Sequence, residues 1–266
     1  MNQAAEIVSQ ATSGNQFLYE QPLNERMRTF LRLEFLYKQL LYNFEEESSF
    51  ASRDCISALL DIVAILARGD TRGDVLKELE RQIFLLDRYQ RSENVDGTRL
   101  RETIEKLQSL RHELNEVGPT YLQPLRDNEF LNSIRHRSAI PGGTCAFDLP
   151  DYTHWLRKNY TTRSETIKTW LQAVKPLCDS VRELLWLLRN SNPPETCSAA
   201  NGVYQHALEK GNSTSLIRIS IDKSLNRYPE ISGSHHRFTV RFMKWKPEDG
   251  RPVQCTGNID FALTIC

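Results

Sequence analysis

No stretch of this 266-residue sequence is apolar for long enough to span a bilayer, and its polar N-terminus lacks a signal-peptide hydrophobic region. Charge of one sign is missing as well, since 34 Lys and Arg balance 34 Asp and Glu. A protein that grips duplex nucleic acid by counterion release normally carries a basic surplus, so any basic site here must be local. None of the six cysteines forms a C-x-x-C pair, which argues against a zinc ribbon and against a redox dithiol. A chain this long with no secretory signal is not a small disulfide scaffold, and scattered thiols in a reducing cytoplasm are the better reading. Only His235-His236 approaches a metal-ligand cluster. No G-x-G-x-x-G, P-loop or serine-nucleophile motif occurs, and no cysteine has a recognisable partner. These absences leave no positive case for an enzyme, and no cofactor or metal is expected.

What is present is an ordinary globular composition, 39% hydrophobic and 26% charged, long enough for one large or two small cores. Up to about Gln16 the residues are small and polar, which predicts a disordered leader over residues 1–16. Pro22 and Glu25 are helix-start signals. The helix they open is apolar almost all round (Phe30, Leu33, Phe35, Leu36, Tyr37, Leu40, Phe44), as in a helix central to a core or a subunit interface. Cys55 to Leu66 is a second helix. Leu76, Leu79, Ile83 and Leu86, and then Leu100, Ile104 and Leu107, recur at helical spacing, with short polar breaks that suit an antiparallel bundle. Asn128 to Arg137 reads as a short helix ended by Pro141-Gly142-Gly143. Thr162 with Glu165 reads as a capping box for a helix running to Leu188, which Pro176 must kink or divide.

Beyond Asn192-Pro193-Pro194 the period changes to two. Ile217, Ile219 and Ile221 alternate with polar residues, as do Phe238, Val240 and Phe242, and then Ile259, Phe261, Leu263 and Ile265, the pattern of half-buried antiparallel strands. Cys145 to Leu149 is also strand-like and has no local partner, so it is expected to join the C-terminal strands. The class is therefore α+β, an N-terminal helical bundle domain with a discontinuous antiparallel β-sandwich domain. Residues 17–140 and 157–192 form the first, and residues 141–156 and 198–266 the second.

Two arginine-bearing segments stand out as surfaces suited to an anion. Arg28 and Arg32 share a helix face, where like charges cost a few tenths of a kcal/mol unless carboxylates or an anionic partner offset them. Glu25 and Glu34 are the carboxylates at hand. Arg135 and Arg137 are two apart and cannot both point at one ligand from a helix. A helix C-terminus also favours cations by about 0.3–1 kcal/mol, a sufficient structural reason for them. Arg126 is a further basic candidate. Gly142-Gly143 reads as a turn needing positive φ, and Asp148 and Asp151 flanking Pro150 as turn residues rather than an acid/base pair.

Pro22-Leu23-Asn24-Glu25-Arg26-Met27-Arg28, the run from Arg135 through Gly143 to Pro150, Tyr228 to Gly233 and Arg237 to Phe242 together resemble ZapD, a family of bacterial Z-ring-associated proteins. The resemblance runs in order from about Phe17 to Cys266. It implies a cytoplasmic homodimer, at mid-cell on the division ring, that binds the C-terminal tail of FtsZ and cross-links or bundles its filaments. It also implies a positively charged tail pocket near the dimer interface. Arg32 matches an arginine of that pocket, and Arg28, Arg126, Arg135 and Arg137 are its other basic candidates. Glu129 and Thr153 stand where the family pattern has basic residues, and His154 adjoins the second. No membrane or nucleic-acid partner is expected. The alternative is a nucleic-acid-binding module using local basic patches with Phe238 and Phe242.

Overall fold

The computed structural model describes residues 14–89, 96–208, 214–234, 236–246, 248 and 250–266. Among these, eight α-helices and eight β-strands divide between two compact units, Arg32–Leu185 and the pair of segments Met1–Leu31 and Trp186–Cys266. The class is α+β, with helices first and antiparallel sheets towards the C-terminus, as the change of period predicts.

Eight helices run in order: α1 (Glu25–Phe44), α2 (Ser49–Leu66), α3 (Thr71–Tyr89), α4 (Gly97–Glu116), α5 (Gln123–Arg126), α6 (Glu129–Ser138), α7 (Pro150–Leu156) and α8 (Tyr160–Arg189). Side chains fix several starts. Asn24 Oδ1 accepts from the Met27 amide, Ser48 Oγ from Ala51 and Asn128 Oδ1 from Leu131, each satisfying an amide that the first turn leaves open. Helix α1 thus begins at Glu25 behind an asparagine cap rather than at Pro22. Helix α8 is capped by Asn159 Oδ1 on the Thr162 amide, not by a box at Thr162, and it runs unbroken past Pro176. In the helical unit Leu33, Tyr37 and Leu40 of α1 turn inward with Cys55, Leu59 and Ile62 of α2. Phe35 and Tyr42 on the same helix are 66% and 57% exposed, so α1 is not buried all round. Phe130, Tyr152, Trp155 and Trp170 form an aromatic cluster with neighbouring centroids 5.9–6.2 Å apart.

The other unit is a β-sandwich. Its strands are β1 (Gln16–Pro22), β2 (Glu195–Ala199), β3 (Val203–Ala207), β4 (Leu216–Asp222), β5 (Tyr228–Gly233), β6 (Arg237–Lys244), β7 (Val253–Gln254) and β8 (Ile259–Ile265). One sheet has the order β1-β4-β8-β2 and the other β3-β6-β5, with β7 paired to β6. Alternate residues Ile217, Ile219 and Ile221 of β4, Phe238, Val240 and Phe242 of β6, and Phe261 and Leu263 of β8 fill one core between the sheets.

The unit is discontinuous through a different segment from the one expected. Cys145–Leu149 is no strand and lies in the helical unit. Three of its five amides are taken up in tight turns, Cys145 N–H on Gly142 O at 3.0 Å and Asp148 and Leu149 N–H on Cys145 O at 3.2 and 3.0 Å, which is incompatible with a ladder. The N-terminal segment supplies the strand instead. Strand β1 pairs antiparallel with β4 from Gln16↔Asp222 to Pro22↔Leu216, although its first residue was expected in a disordered leader and the rest in the helical domain. Residues 1–13 of that leader lie outside the described residues.

Candidate functional site

Helix α1 places the first two arginines one turn apart. Arg28 is engaged with Glu25, its Nε 3.1 Å from Oε1, which is the plain structural use of such a residue. Arg32 is exposed and has no ion pair among the described residues, while Glu34 pairs with Lys38 at 3.1 Å. Arg126 ends α5 and is exposed. Its carbonyl accepts from Asn132 Nδ2 at 2.7 Å. Arg135 and Arg137 occupy the last turn of α6, where the macrodipole favours them, and Arg137 lies 3.6 Å from Asp148. His154 is exposed on α7. None of these six residues lines either of the two cavities described below.

The structure instead draws three segments around a cleft of about 470 Å³ in the helical unit, lined by none of the six. Ser49, Phe50 and Arg53 come from the first turns of α2. Gly142, Thr144 and Cys145 come from the turn after α6, and Thr153, Leu156 and Arg157 from α7 and its C-cap. Gly142 adopts φ +72°, the conformation the turn reading requires. A Cβ on Gly143 would sit 2.4 Å from Arg137 O, so the second glycine lets the turn pack back on the end of α6.

Two cations line this cleft and no carboxylate does. Arg53 Nη1 donates to Thr144 O at 3.1 Å and to Thr144 Oγ1 at 3.4 Å, and its guanidinium stands 4.7 Å from the Tyr152 ring centroid. Burial pushes the Tyr152 phenol up to about 12, against the opposing pull of Arg53. Arg157 is exposed and forms no ion pair among the described residues. Thr153 Oγ1 is buried in the wall without a hydrogen-bond partner among the described residues. Phe50 is 76% exposed at the rim, and Leu156 is buried beneath. The arrangement suits an anion with an apolar neighbour: fixed donors, low surrounding polarity and nothing negative to compete.

A second cavity, of about 530 Å³, opens in the β unit beside Arg189 and Arg218. There Glu20 takes both arginines, at 2.7–3.0 Å, so this cavity carries its own counter-charge. The candidate carboxylates near Pro150 divide in the same way. Asp148 accepts from Cys145 Sγ and pairs with Arg137, while Asp151 is exposed on the first turn of α7. No group of three metal-ligating residues occurs among the described residues, and His235 lies outside them. Phe238 and Phe242 are 1% and 0% exposed in the sandwich core, so neither offers a face on which a base could stack.

Sequence reasoning missed Arg53 and Arg157. Arg53 carried one signal, a cation near a helix N-terminus, where the macrodipole disfavours it and an acidic residue is the usual choice. The family model described as ZapD, a cell division protein, matches residues 31–241 of this chain. A curated relative, the cell division protein ZapD of Methylococcus capsulatus, is 36% identical over 252 residues, which cover 95% of this chain and 98% of its own length.

Proposed function

The chain belongs to the ZapD family of cell division proteins, and from that premise we propose that it binds the C-terminal tail of FtsZ and cross-links FtsZ filaments. The observation that carries this reading is the cleft lined by two arginines and no carboxylate, a receptor for an acidic, partly apolar peptide. Arg53 and Arg157 take the tail's acidic groups. Arg32, Arg126, Arg135, Arg137 and His154, exposed basic groups of the same helical unit, steer it in. Arg28, occupied by Glu25, is the weakest of the basic candidates.

Bundling follows from multivalency. A two-fold dimer presents two copies of one tail site to filaments that each carry many tails, and effective concentration turns weak contacts into firm cross-links. The exposed Phe35 and Tyr42 of α1 are apolar surface of the kind a second copy covers. On this reading the protein works as a binding factor in the cytoplasm, on the division ring. With Phe238 and Phe242 in the core and a net charge of zero, the nucleic-acid reading has no observation in its favour.

Co-sedimentation with GTP-polymerised FtsZ, intact and lacking its C-terminal tail, tests the reading. Pelleting that requires the tail is expected. Absence of pelleting by folded protein with intact filaments refutes the partner.

A further inference from the structure

The cleft in the helical unit has donors of fixed geometry, and these specify more than a preference for negative charge. Arg53 is held on two sides, by Thr144 through Nη1 and by the Tyr152 ring against its plane. Nη1 is the nitrogen that a side-on carboxylate does not need. The Nε and Nη2 edge, which grips a carboxylate through two parallel bonds, makes no hydrogen bond among the described residues. A guanidinium fixed in this way loses little rotamer freedom when it binds. In the same wall, Thr153 Oγ1 is buried without a hydrogen-bond partner among the described residues. The remaining wall is apolar, from Phe50 at the rim and Leu156 within. A volume of about 470 Å³ falls in the range that accepts a side chain with its flanking backbone.

We propose that this cleft is a recognition site for a carboxylate adjoining a bulky apolar side chain. Arg53 is the geometric reader, Phe50 and Leu156 form the apolar seat, and Arg157 is a mobile second cation. The identity of the partner rests on the FtsZ reading, but the chemistry of the cleft does not. The two cations differ in what they do. Arg53 needs its planar fork, so a lysine there fails. Arg157 has nothing holding it in place and acts as a screened point charge, so a lysine there suffices.

The test uses N-acetyl-leucine and N-acetyl-leucinamide as probes, which share the apolar side chain and differ in the carboxylate. Binding to the full chain is followed by ligand-observed NMR at constant ionic strength. The acid is expected to bind the wild type about tenfold more tightly than the amide, the difference a charge-assisted bidentate pair supplies. Arg53→Lys abolishes the preference and Arg157→Lys retains it. Because Arg53 also braces the turn at Thr144, Phe50→Ala provides a second variant. Its side chain is 76% exposed, so folding is unaffected while both probes weaken several-fold. Equal binding of acid and amide, no binding of either, or unchanged binding by Phe50→Ala overturns the proposal. Tail-dependent pelleting with FtsZ decides the partner separately, so either idea can fail without the other.

Discussion

Replacing Arg163 by Met should destabilise the helical unit by about 2–4 kcal/mol, the surplus of lost hydrogen bonds over relieved desolvation. Arg163 is only 5% exposed, and no carboxylate pairs with it among the described residues. Its charge is met by neutral acceptors: Glu47 O at 2.6 Å from Nη2, with Ser48 O at 3.1 Å and Ser52 Oγ at 2.7 Å from Nη1. Three charge-assisted bonds at about 1.5–3 kcal/mol each make a gross term of roughly 4.5–9 kcal/mol. Removing a buried guanidinium returns several kcal/mol of desolvation, and more because Nε is buried without a partner. Ser48 O keeps the Ser52 amide at 3.2 Å, so Glu47 O is the carbonyl left stranded. Urea unfolding followed by circular dichroism measures the difference, and a loss of ~3 kcal/mol corresponds to a Tm drop of about 6–12 °C in a domain of this size. A change below about 0.5 kcal/mol, the level of a surface substitution, would refute the reasoning. The effect reaches the site, because Ser48 caps the helix whose first turns carry Phe50 and Arg53. A folded Arg163→Met protein should therefore also bind N-acetyl-leucine less tightly.

Three further outcomes are expected. Burial raises Tyr121 and Tyr152 to about 12 from an ordinary 10.0, and raises Tyr37 further with Asp179 beside it. The folded chain keeps these protons while the unfolded chain releases them near pH 10. Their contribution is thus complete below pH 10 and lost on the way to pH 12, and phenolate absorbance and helix content should change together there. Phenolate formation well below the loss of helix would contradict it. Arg32→Glu should weaken tail-dependent pelleting while leaving thermal stability within about 0.5 kcal/mol, since Arg32 is exposed and without an ion pair among the described residues. Unfolding of that variant would make Arg32 structural. Deleting Ile259–Cys266 should unfold the β unit, because β8 lies between β4 and β2 and the Cys266 backbone bonds to Ser215 and Leu216. A native-like β signal in the truncated protein would count against that.

The parts of the fold that could be read directly are those where one chemical pattern has one outcome. Isoleucine alternating with polar residues from Leu216 to Asp222 has no good helical solution, and it became an inner strand of the sheet β1-β4-β8-β2. Cys145–Leu149 shows the same alternation over too few residues. The Gly142 and Cys145 carbonyls offered its amides nearer acceptors, so the turns won. Strand β1 was obscured by the opposite fault. Its apolar Phe17, Leu18 and Tyr19 do not alternate, and Pro22 invited a helix start that Asn24 caps two residues later.

The site was less legible for a different reason. A receptor for an anion is defined by which cations lack a carboxylate, and that depends on neighbours far away in the chain. Arg28 and Arg137 stand out in the sequence where Arg53 does not, yet Glu25 and Asp148 pair with them in the fold. Arg53 stands beside Asp54 in sequence, yet it turns instead to Thr144 and Tyr152, about ninety residues on, and leaves Asp54 exposed. The motif Pro141-Gly142-Gly143 read as punctuation for a helix, and so it is. Its second consequence is to fold the chain back under α2, so that a turn which binds nothing by itself makes one wall of the cleft. The proposed site lies in the pairing of a helix start with that turn. A substitution at Gly142, whose φ of +72° strains any other residue, should weaken ligand binding before it weakens the fold.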